Sequence, residues 1–466
     1  MANKFYLTTT LPYVNAPPHI GFALEIVQAD VVARHHRLLG DEVFFNFGTD
    51  EHGKKIYDKA IELKKDPKAY CDEYAAKFDQ LKKALNLSYD NFIRTTDPHH
   101  IRAAQEFWKK CKKNGDIYNK TYKTKYCVGC ELEKTDSELV DGHCPLHPNL
   151  KIEIIDEENY FFSFSKYQDA LLKLYRDNPQ FVVPAYRLKE ITEFVKGGLQ
   201  DFSISRLKSK MSWGIDVPDD PGHVMYVWFD ALINYISAIG WPDDPKKFTG
   251  WWPVVQFAGK DNLRQQSAIW QAMLLSAKLP PSKQIFIHGF VSVNGQKISK
   301  SLGNTVDPYD LVKKYGTDAL RYYLLREIPA YDDGDFSERR FKELYNSDLA
   351  NGLGNVTARI AKLCELNHIK TEERPKKYKN SKYLDLYEFS VALEEIWKDI
   401  KKLDVQINHD KPWETKDAGQ IQKYIHQLIH IAFALQPFLP DTAQKILDQF
   451  KGPAITSKPP LFPRIK

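Results

Sequence analysis

Three groups of residues carry side chains whose types and spacing suit particular chemistry. The first is Cys127-x2-Cys130-x13-Cys144-x2-His147. Three thiolates and an imidazole arranged in two close pairs form a closed tetrahedral set suited to zinc. Because no coordination position remains for water, such an ion would fold its segment and would do no chemistry. Glu131 and Asp136 are not needed as further ligands. The second group is "PPHIGF", residues 17–22. Pro17 and Pro18 set a turn, His19 stands at the mouth of a helix, and Gly21 lets an incoming group approach the backbone. Free amides at the positive end of a helix favour phosphate there. The third group is "NGQKISKSLGN", in which Lys297 and Lys300 alternate with Ser299 and Ser301 between a turn at Asn294-Gly295 and a hinge at Gly303. Two cations on a loop suit a polyphosphate whose charge shifts during reaction. On composition alone, the same stretches read as a structural turn and an exposed basic loop.

The surrounding pattern is that of an α/β protein. "KFYLTTT" alternates as a strand, "FALEIVQADVVARHHRLLG" has helical periodicity closed by Gly40, and "EVFFNFG" is a second, nearly apolar strand. This order opens a Rossmann-type parallel sheet, with functional loops at the strand carboxyl ends. Asp66-Pro67 and Asp97-Pro98 start helices running to about residues 86 and 114. Short β-like pieces around the cysteine cluster predict an insertion over 115–223. Strand "HVMYVW", helix "FDALINYISAIG", strand "WPVVQFAG", helix "NLRQQSAIWQAMLLSAK" and strand "QIFIHGFVSV" then resume the sheet. Helical spacing dominates thereafter and predicts a bundle. The domains are accordingly 1–114 and 224–290 for the two sheet halves, 115–223 for the insertion, 291–345 for the lysine loop and its sequel, and 346–466 for the bundle.

At 466 residues the chain needs several cores. It has no run of about 18 apolar residues that would span a membrane, so no membrane partner is expected. The start, "MANKFYLTTTLPY", lacks a basic region followed by an apolar stretch, and a cytoplasmic location is expected. Cys71, Cys111 and Cys364 are scattered in helical patterns and read as small buried hydrophobes. A net charge of +5 permits a nucleic-acid partner without arguing for one.

The turn at His19 resembles the His-x-Gly-His signature of the class I aminoacyl-tRNA synthetases, with Phe22 in its fourth position. "KISKS" resembles their KMSKS loop, with Ile298 for methionine. Added to these, "LPYVNAPPHIG", "FGTDEHG", "YVWFDALINY", "GKDNLRQQSAIWQAML", "NSDLANGLGNVTAR" and "NHDKPWE" resemble, in order and over nearly the whole length, the blocks of the methionyl-tRNA synthetase family. The resemblance implies a class I catalytic sheet, a zinc-binding connective insertion and a helical anticodon-binding domain. It also implies formation of methionyl-adenylate from L-methionine and ATP, with Mg²⁺, followed by transfer to methionine tRNA carrying the anticodon CAU. The family often has four cysteines at the zinc site, so His147 is a variation.

By the same resemblance, His19, Lys297 and Lys300 are catalytic, and with Gly21, Phe22 and Asp261 they form the ATP site. Leu11, Tyr13, Asp50, Trp228, Ala231, Leu232, Tyr235 and Gln266 surround methionine, Asp50 pairing with its ammonium group. Asn262 and Gln266 stand where some members carry an apolar residue and a histidine. Asn355, Arg359 and Trp413 match the anticodon readers, chemically suited to stack and hydrogen-bond unpaired bases. The chain ends in "PPLFPRIK" without the dimer-forming appendage of some members, so a monomer is expected. Phe22 raises a second reading, a synthetase-derived RNA-binding protein that has lost adenylate formation.

Overall fold

The computed structural model describes residues 2–298, 303–370, 378 and 381–465. At its centre lies a six-stranded sheet in which every neighbouring pair is parallel. Strand β1 (Lys4–Thr9) is flanked by β2 (Glu42–Thr49) and then β3 (Asn91–Arg94) on one side. On its other side run Val255–Gly259, Gln284–His288 and Val182–Val183. Alternate side chains serve opposite faces. Leu7, Phe257 and Phe286 join a core that continues into the C-terminal helices, whereas Tyr6, Ala258, Ile285 and Ile287 join a second core beneath the insertion.

Between the sheet and those C-terminal helices runs α1 (Ile20–Leu39), capped by His19 and ended by Gly40 in the left-handed conformation at φ 95°. Covered on two sides, α1 buries polar Glu25, Gln28 and Asp30 along with its apolar residues. Buried charge at such positions requires partners. Asp30 finds them in Arg321, 2.8 Å away with both side chains fully buried, in Arg34 at 2.8 Å, and in the Ser88 amide and hydroxyl at 2.6 and 2.7 Å. Arg321 also donates to the carbonyls of Leu85, Pro437 and Phe438 at 2.7–3.1 Å. Burial works against ionisation of Asp30, but Arg321 and Arg34 outweigh it and hold the carboxyl below its usual range.

The insertion is built on a long antiparallel hairpin, Ile117–Cys127 against Glu153–Phe162, with Leu132–Lys134 and Phe202–Ser203 at its edges. Several features differ from the sequence expectation, among them "QIFIHGFVSV", which forms two strands in different sheets, Gln284–His288 and Val291–Val293. The strand within "HVMYVW", Asp220–Met225, belongs to a separate three-stranded antiparallel sheet with Asp216–Val217 and Ser205–Leu207. The sixth parallel strand is Val182–Val183, from inside the stretch read as insertion. Two residues are too few to show any periodicity, so the sheet edge could be found only by folding. "FDALINYISAIG" forms two short helices, Val227–Ala231 and Asn234–Ser237. "NLRQQSAIWQAMLLSAK" begins with a π-turn at Gln265–Ile269, a wide turn common at functional sites. The helix begun at Pro67 ends at Asp79 and is followed by a short one, Leu81–Ala84.

After the lysine loop the chain is helical, with Thr317–Arg326, Asn355–Leu366, Phe389–Asp410 and Ala418–Leu435 as the main elements. Among the described residues no helix is long and apolar enough to cross a membrane. Arg321→Met is expected to strand the Asp30 charge and lower stability by about 3–5 kcal/mol. Urea unfolding should show this loss, and adding Asp30→Asn should recover part of it.

Candidate active site

Two cavities meet above the carboxyl ends of the central strands. The smaller, of about 310 Å³, is lined by Leu11, Tyr13, Asp50, Trp228, Ala231, Leu232, Tyr235 and Gln266, together with Asp261 and Asn262. The larger, of about 440 Å³, is lined by His19, Gly21, Phe22, Asp261, Asn262 and Lys297. Thr10, Pro12, Tyr13, Leu146 and His147 border both. All the residues expected at the two substrate sites are thus brought together, apart from Lys300, which lies outside the described residues.

Each wall has a local cause. The chain leaving β1 passes beside the end of β2, with Asp50 N–H donating to Pro12 O at 3.0 Å, and this sets Tyr13 against Asp50. Burial, and then the neighbouring Asp230 charge, push the Asp50 carboxyl well above its ordinary range. Behind it, Asp230 is itself buried and takes His52 Nδ1 at 3.0 Å. The Tyr13 hydroxyl, Trp228 Nε1 and Gln265 Oε1 are buried and have no hydrogen-bond partner among the described residues. An apolar pocket with a few such unmatched polar atoms is suited to a mostly apolar ligand with polar ends.

In the larger cavity, His19 Nδ1 accepts the Gly21 N–H at 3.1 Å, which leaves the proton of the neutral ring on Nε2. A Cβ on residue 21 would lie 3.1 Å from that imidazole, so glycine keeps room for the ring over the helix end. Phe22 packs its ring against Phe47 and Phe78, with centroids 5.6 and 5.4 Å apart. The fourth position of the turn is therefore part of an aromatic wall.

Sequence reading missed a charged pair in this wall. His288 ends the strand Gln284–His288, with Nε2 2.9 Å from Glu25 Oε2 and Nδ1 2.7 Å from Gly289 O. Burial alone would drive this imidazole down, but Glu25 and the Gly289 carbonyl hold it above its ordinary value. The one available signal was a histidine followed by glycine at the carboxyl end of a core strand.

The expected metal ligands also converge. The ligand atoms of Cys127, Cys130, Cys144 and His147 all lie within 4.8 Å of one another. Cys130 Sγ is 3.4 Å from Cys144 Sγ and 3.3 Å from His147 Nδ1, and the other two sulfurs are 3.8 and 3.9 Å from that nitrogen. Tetrahedral zinc with usual bond lengths has ligand edges of about 3.5–3.8 Å, so this cluster fits a metal ion. Gly129 is essential to it, because a Cβ there would stand 2.4 Å from the His147 ring. Glu131 is not aimed at the cluster. It accepts the Lys55 amide at 3.0 Å and the Tyr126 hydroxyl at 2.6 Å, while Lys55 Nζ donates to Gly129 O at 3.0 Å. These contacts hold the knuckle down as a roof over both cavities.

At the far end of the chain, Asn355 and Arg359 share one helix face. The Arg359 guanidinium lies 6.0 Å from the Trp413 ring and pairs with Asp404 at 2.5 Å and Asn408 at 2.7 Å. Trp413 is about half exposed, at 49%. Cys71, Cys111 and Cys364 are buried, as expected.

Comparison with known proteins agrees with this geometry. The profile of the family described as tRNA synthetases class I (M) matches residues 5–361, so the chain belongs to the class I tRNA synthetases. Methionine–tRNA ligase of Thermotoga maritima is 42% identical over 483 residues, covering 98% of this chain and 76% of the relative. That of Synechocystis sp. is 42% identical over 476 residues, covering 96% and 89%. Within its class, the chain belongs to the methionine–tRNA ligase family. Mycobacterium tuberculosis methionyl-tRNA synthetase in complex with methionyl-adenylate superposes with a TM-score of 0.93 at 35% identity, over 99% of this chain and 100% of that one. The free form of the same enzyme gives 0.85 at 32% identity.

The stability that the His288 imidazolium contributes is complete below pH of about 6.5, its unfolded value, and is lost as pH rises through the higher folded one. Glu25→Gln should remove that dependence, and NMR titration of the His288 ring should show its pKa fall. Gly129→Ala should weaken metal retention by about 10- to 100-fold, measured by competition with a zinc chelator.

Proposed function

We infer that this chain activates L-methionine with ATP, forming methionyl-adenylate and diphosphate, and then transfers the methionyl group to methionine tRNA with release of AMP. The observation that carries this reading is the junction of the two cavities. A small, largely apolar pocket with one buried carboxylate opens, through Tyr13, Thr10 and Asp261, onto a pocket walled by a helix N-terminus, an imidazole and a lysine.

In this reading methionine occupies the smaller cavity, its ammonium group on Asp50 and its side chain among Leu11, Tyr13, Trp228, Ala231, Leu232, Tyr235 and Gln266. A flexible, polarizable thioether suits such an aromatic and aliphatic enclosure. ATP, supplied as its Mg²⁺ complex, occupies the larger one, its ribose toward Asp261. The methionine carboxylate attacks the α-phosphate, and diphosphate leaves. Rate comes from holding two anions in line and from donors aimed at the charge that develops on phosphorus. His19 Nε2–H, the amides around Gly21, Lys297 and Lys300 supply these donors. Phe22 supplies none and acts as an apolar wall. The terminal ribose of the tRNA then attacks the methionyl carbonyl, displacing AMP.

Zinc is the metal that three thiolates and an imidazole select, and it would be held by Cys127, Cys130, Cys144 and His147. With all four positions filled by protein it supplies folding of the knuckle. Asn355, Arg359 and Trp413 read the CAU anticodon, and the enzyme acts in the cytoplasm as a monomer. The alternative of an RNA-binding protein without adenylate formation is not favoured. Both cavities keep their charged groups, and the family resemblance spans nearly the whole chain.

Methionine-dependent exchange of pyrophosphate into ATP tests the reading directly, and its absence would overturn it. Asp50→Asn should raise the KM for methionine by roughly 10- to 100-fold, the usual value of a hydrogen bond to a charged group, and change that for ATP far less. Since burial raises the Asp50 pKa and an ammonium partner lowers it again, methionine binding should release protons, seen as a buffer-dependent heat. Phe22→His should leave adenylation within about tenfold of the original rate. A gain approaching the 100-fold typical of a restored donor would mean that the site lacks compensation.

A further inference from the structure

The base of the lysine loop is gripped from outside by two aspartates. The strand Val291–Val293 turns back on itself as a hairpin with Gln296–Lys297, in which Ser292 faces Lys297 across the turn at Asn294 and Gly295. Both turn residues are left-handed, at φ 51° and 75°, as a two-residue hairpin of this hand requires. On its other side the same strand pairs in parallel with Gly334–Phe336, which sets Asp335 beside Ser292. A single oxygen, Asp335 Oδ1, accepts the Ser292 hydroxyl at 2.6 Å and the Gly295 N–H at 2.8 Å. Two residues earlier, Asp333 uses both of its oxygens. Oδ1 accepts the Phe290 N–H at 2.8 Å, and Oδ2 accepts from Lys260 Nζ at 2.6 Å. Burial works against ionisation of Asp333, but Lys260 and the Phe290 amide outweigh it and hold the carboxyl below its usual range. Lys260 opens the short turn Lys260–Asn262 that carries Asp261, and its ammonium group lies 4.5 Å from the centre of the Phe290 ring.

Phe290, Asp261 and Lys297 line the larger cavity, whereas neither aspartate lines either cavity. Exposed contacts of this kind add little to stability, but they fix where their partners stand. We propose that Asp333 and Asp335 are positioning residues for the phosphate chemistry. Asp335 sets the direction in which the hairpin presents Lys297. Asp333 ties the root of that hairpin to the turn bearing Asp261, so that the groups for ribose and for phosphate keep one spacing. Reacting groups displaced by about 1 Å can lose roughly 100-fold in rate, so a distant brace of this kind acts on turnover more than on binding. This inference rests on the larger cavity being the ATP site.

The test measures kcat and the KM for ATP in methionine-dependent pyrophosphate exchange, with the melting temperature alongside. The two aspartates should answer differently to the same amide. Both bonds of Asp335 fall on one oxygen, which an amide retains, so Asp335→Asn should keep at least about half of kcat, while Asp335→Ala should lower it about 3- to 10-fold, the range of one hydrogen bond. The alanine removes chiefly the Gly295 contact, since Ser292 Oγ also has Gly334 O at 3.1 Å. Asp333 needs both oxygens, and an amide in either orientation sets a donor against a donor, so Asp333→Asn should lower kcat about 3- to 10-fold. Adding Lys260→Met to it should lower kcat no further, and Asp335→Ala should have no effect once Lys297 is replaced by alanine. The KM for ATP should stay nearly constant, and the melting temperature should move by no more than about 2 °C. Equal losses for Asp335→Asn and Asp335→Ala, losses confined to KM or to melting temperature, or additive losses with Lys297→Ala would overturn the proposal. An original protein that activates no methionine overturns the functional reading. One that activates it, with kcat unchanged in Asp335→Ala and Asp333→Asn, overturns only the positioning role.

Discussion

Asp30 is ionised at a point where the protein has no water to offer it, and the groups that compensate come from its own helix and from two distant parts of the chain. Arg34 lies one turn further along the same helix, Ser88 precedes β3, and Arg321 belongs to the helical segment after the lysine loop. Arg321 is in turn occupied by the carbonyls of residues 437 and 438. An uncompensated charge at such depth costs several kcal/mol, so these segments form one set or fail together. What hangs from that set is the larger cavity: α1 carries His19 at its open end and Glu25 one turn below Phe22. Helical domain and catalytic sheet consequently share a hydrophobic core and meet through more than a hinge.

A second dependence runs through the metal knuckle. Its four cysteine and histidine residues sit in the insertion, far from β1 and β2 in sequence, yet Cys130 and His147 line the smaller cavity. The connection is carried by Lys55, whose amide is capped by Glu131 and whose ammonium group holds Gly129 O. Since Lys55 also lies over the Tyr13 ring, 5.3 Å from its centroid, the roof and the floor of the pocket share one side chain. A metal ion held there would thereby bear on the shape of the adjoining cavity as well as on the fold of its own loop.

What was legible in the sequence was whatever short-range order encodes. Cys127, Cys130, Cys144 and His147 are recognisable because metal geometry demands pairs of ligands at close spacing. β1, α1 and β2 are recognisable because their periodicities differ. The residues of the two cavities came from family resemblance, since nothing in "VWFDALINYI" alone distinguishes a pocket from a core. Glu25, His288 and Lys55 escaped, because each acquires meaning only from a partner many residues away. Phe22 is instructive in the other direction. As a letter in a motif it looked like a lost donor, and in the fold it is one ring of a packed aromatic wall with Phe47 and Phe78.

The two residues Val182 and Val183 bear on how such an insertion can persist. They pair with Ile285 and Phe286 along what would otherwise be an open flank of the parallel sheet. A long bare strand there would offer unpaired amides to any other chain, and covering it with a very short strand leaves little to copy. The inserted module thus protects the catalytic sheet from self-association as well as roofing its pocket. Excising it would leave the outer side of the strand Gln284–His288 unpaired, so the sheet depends on its insertion for that flank.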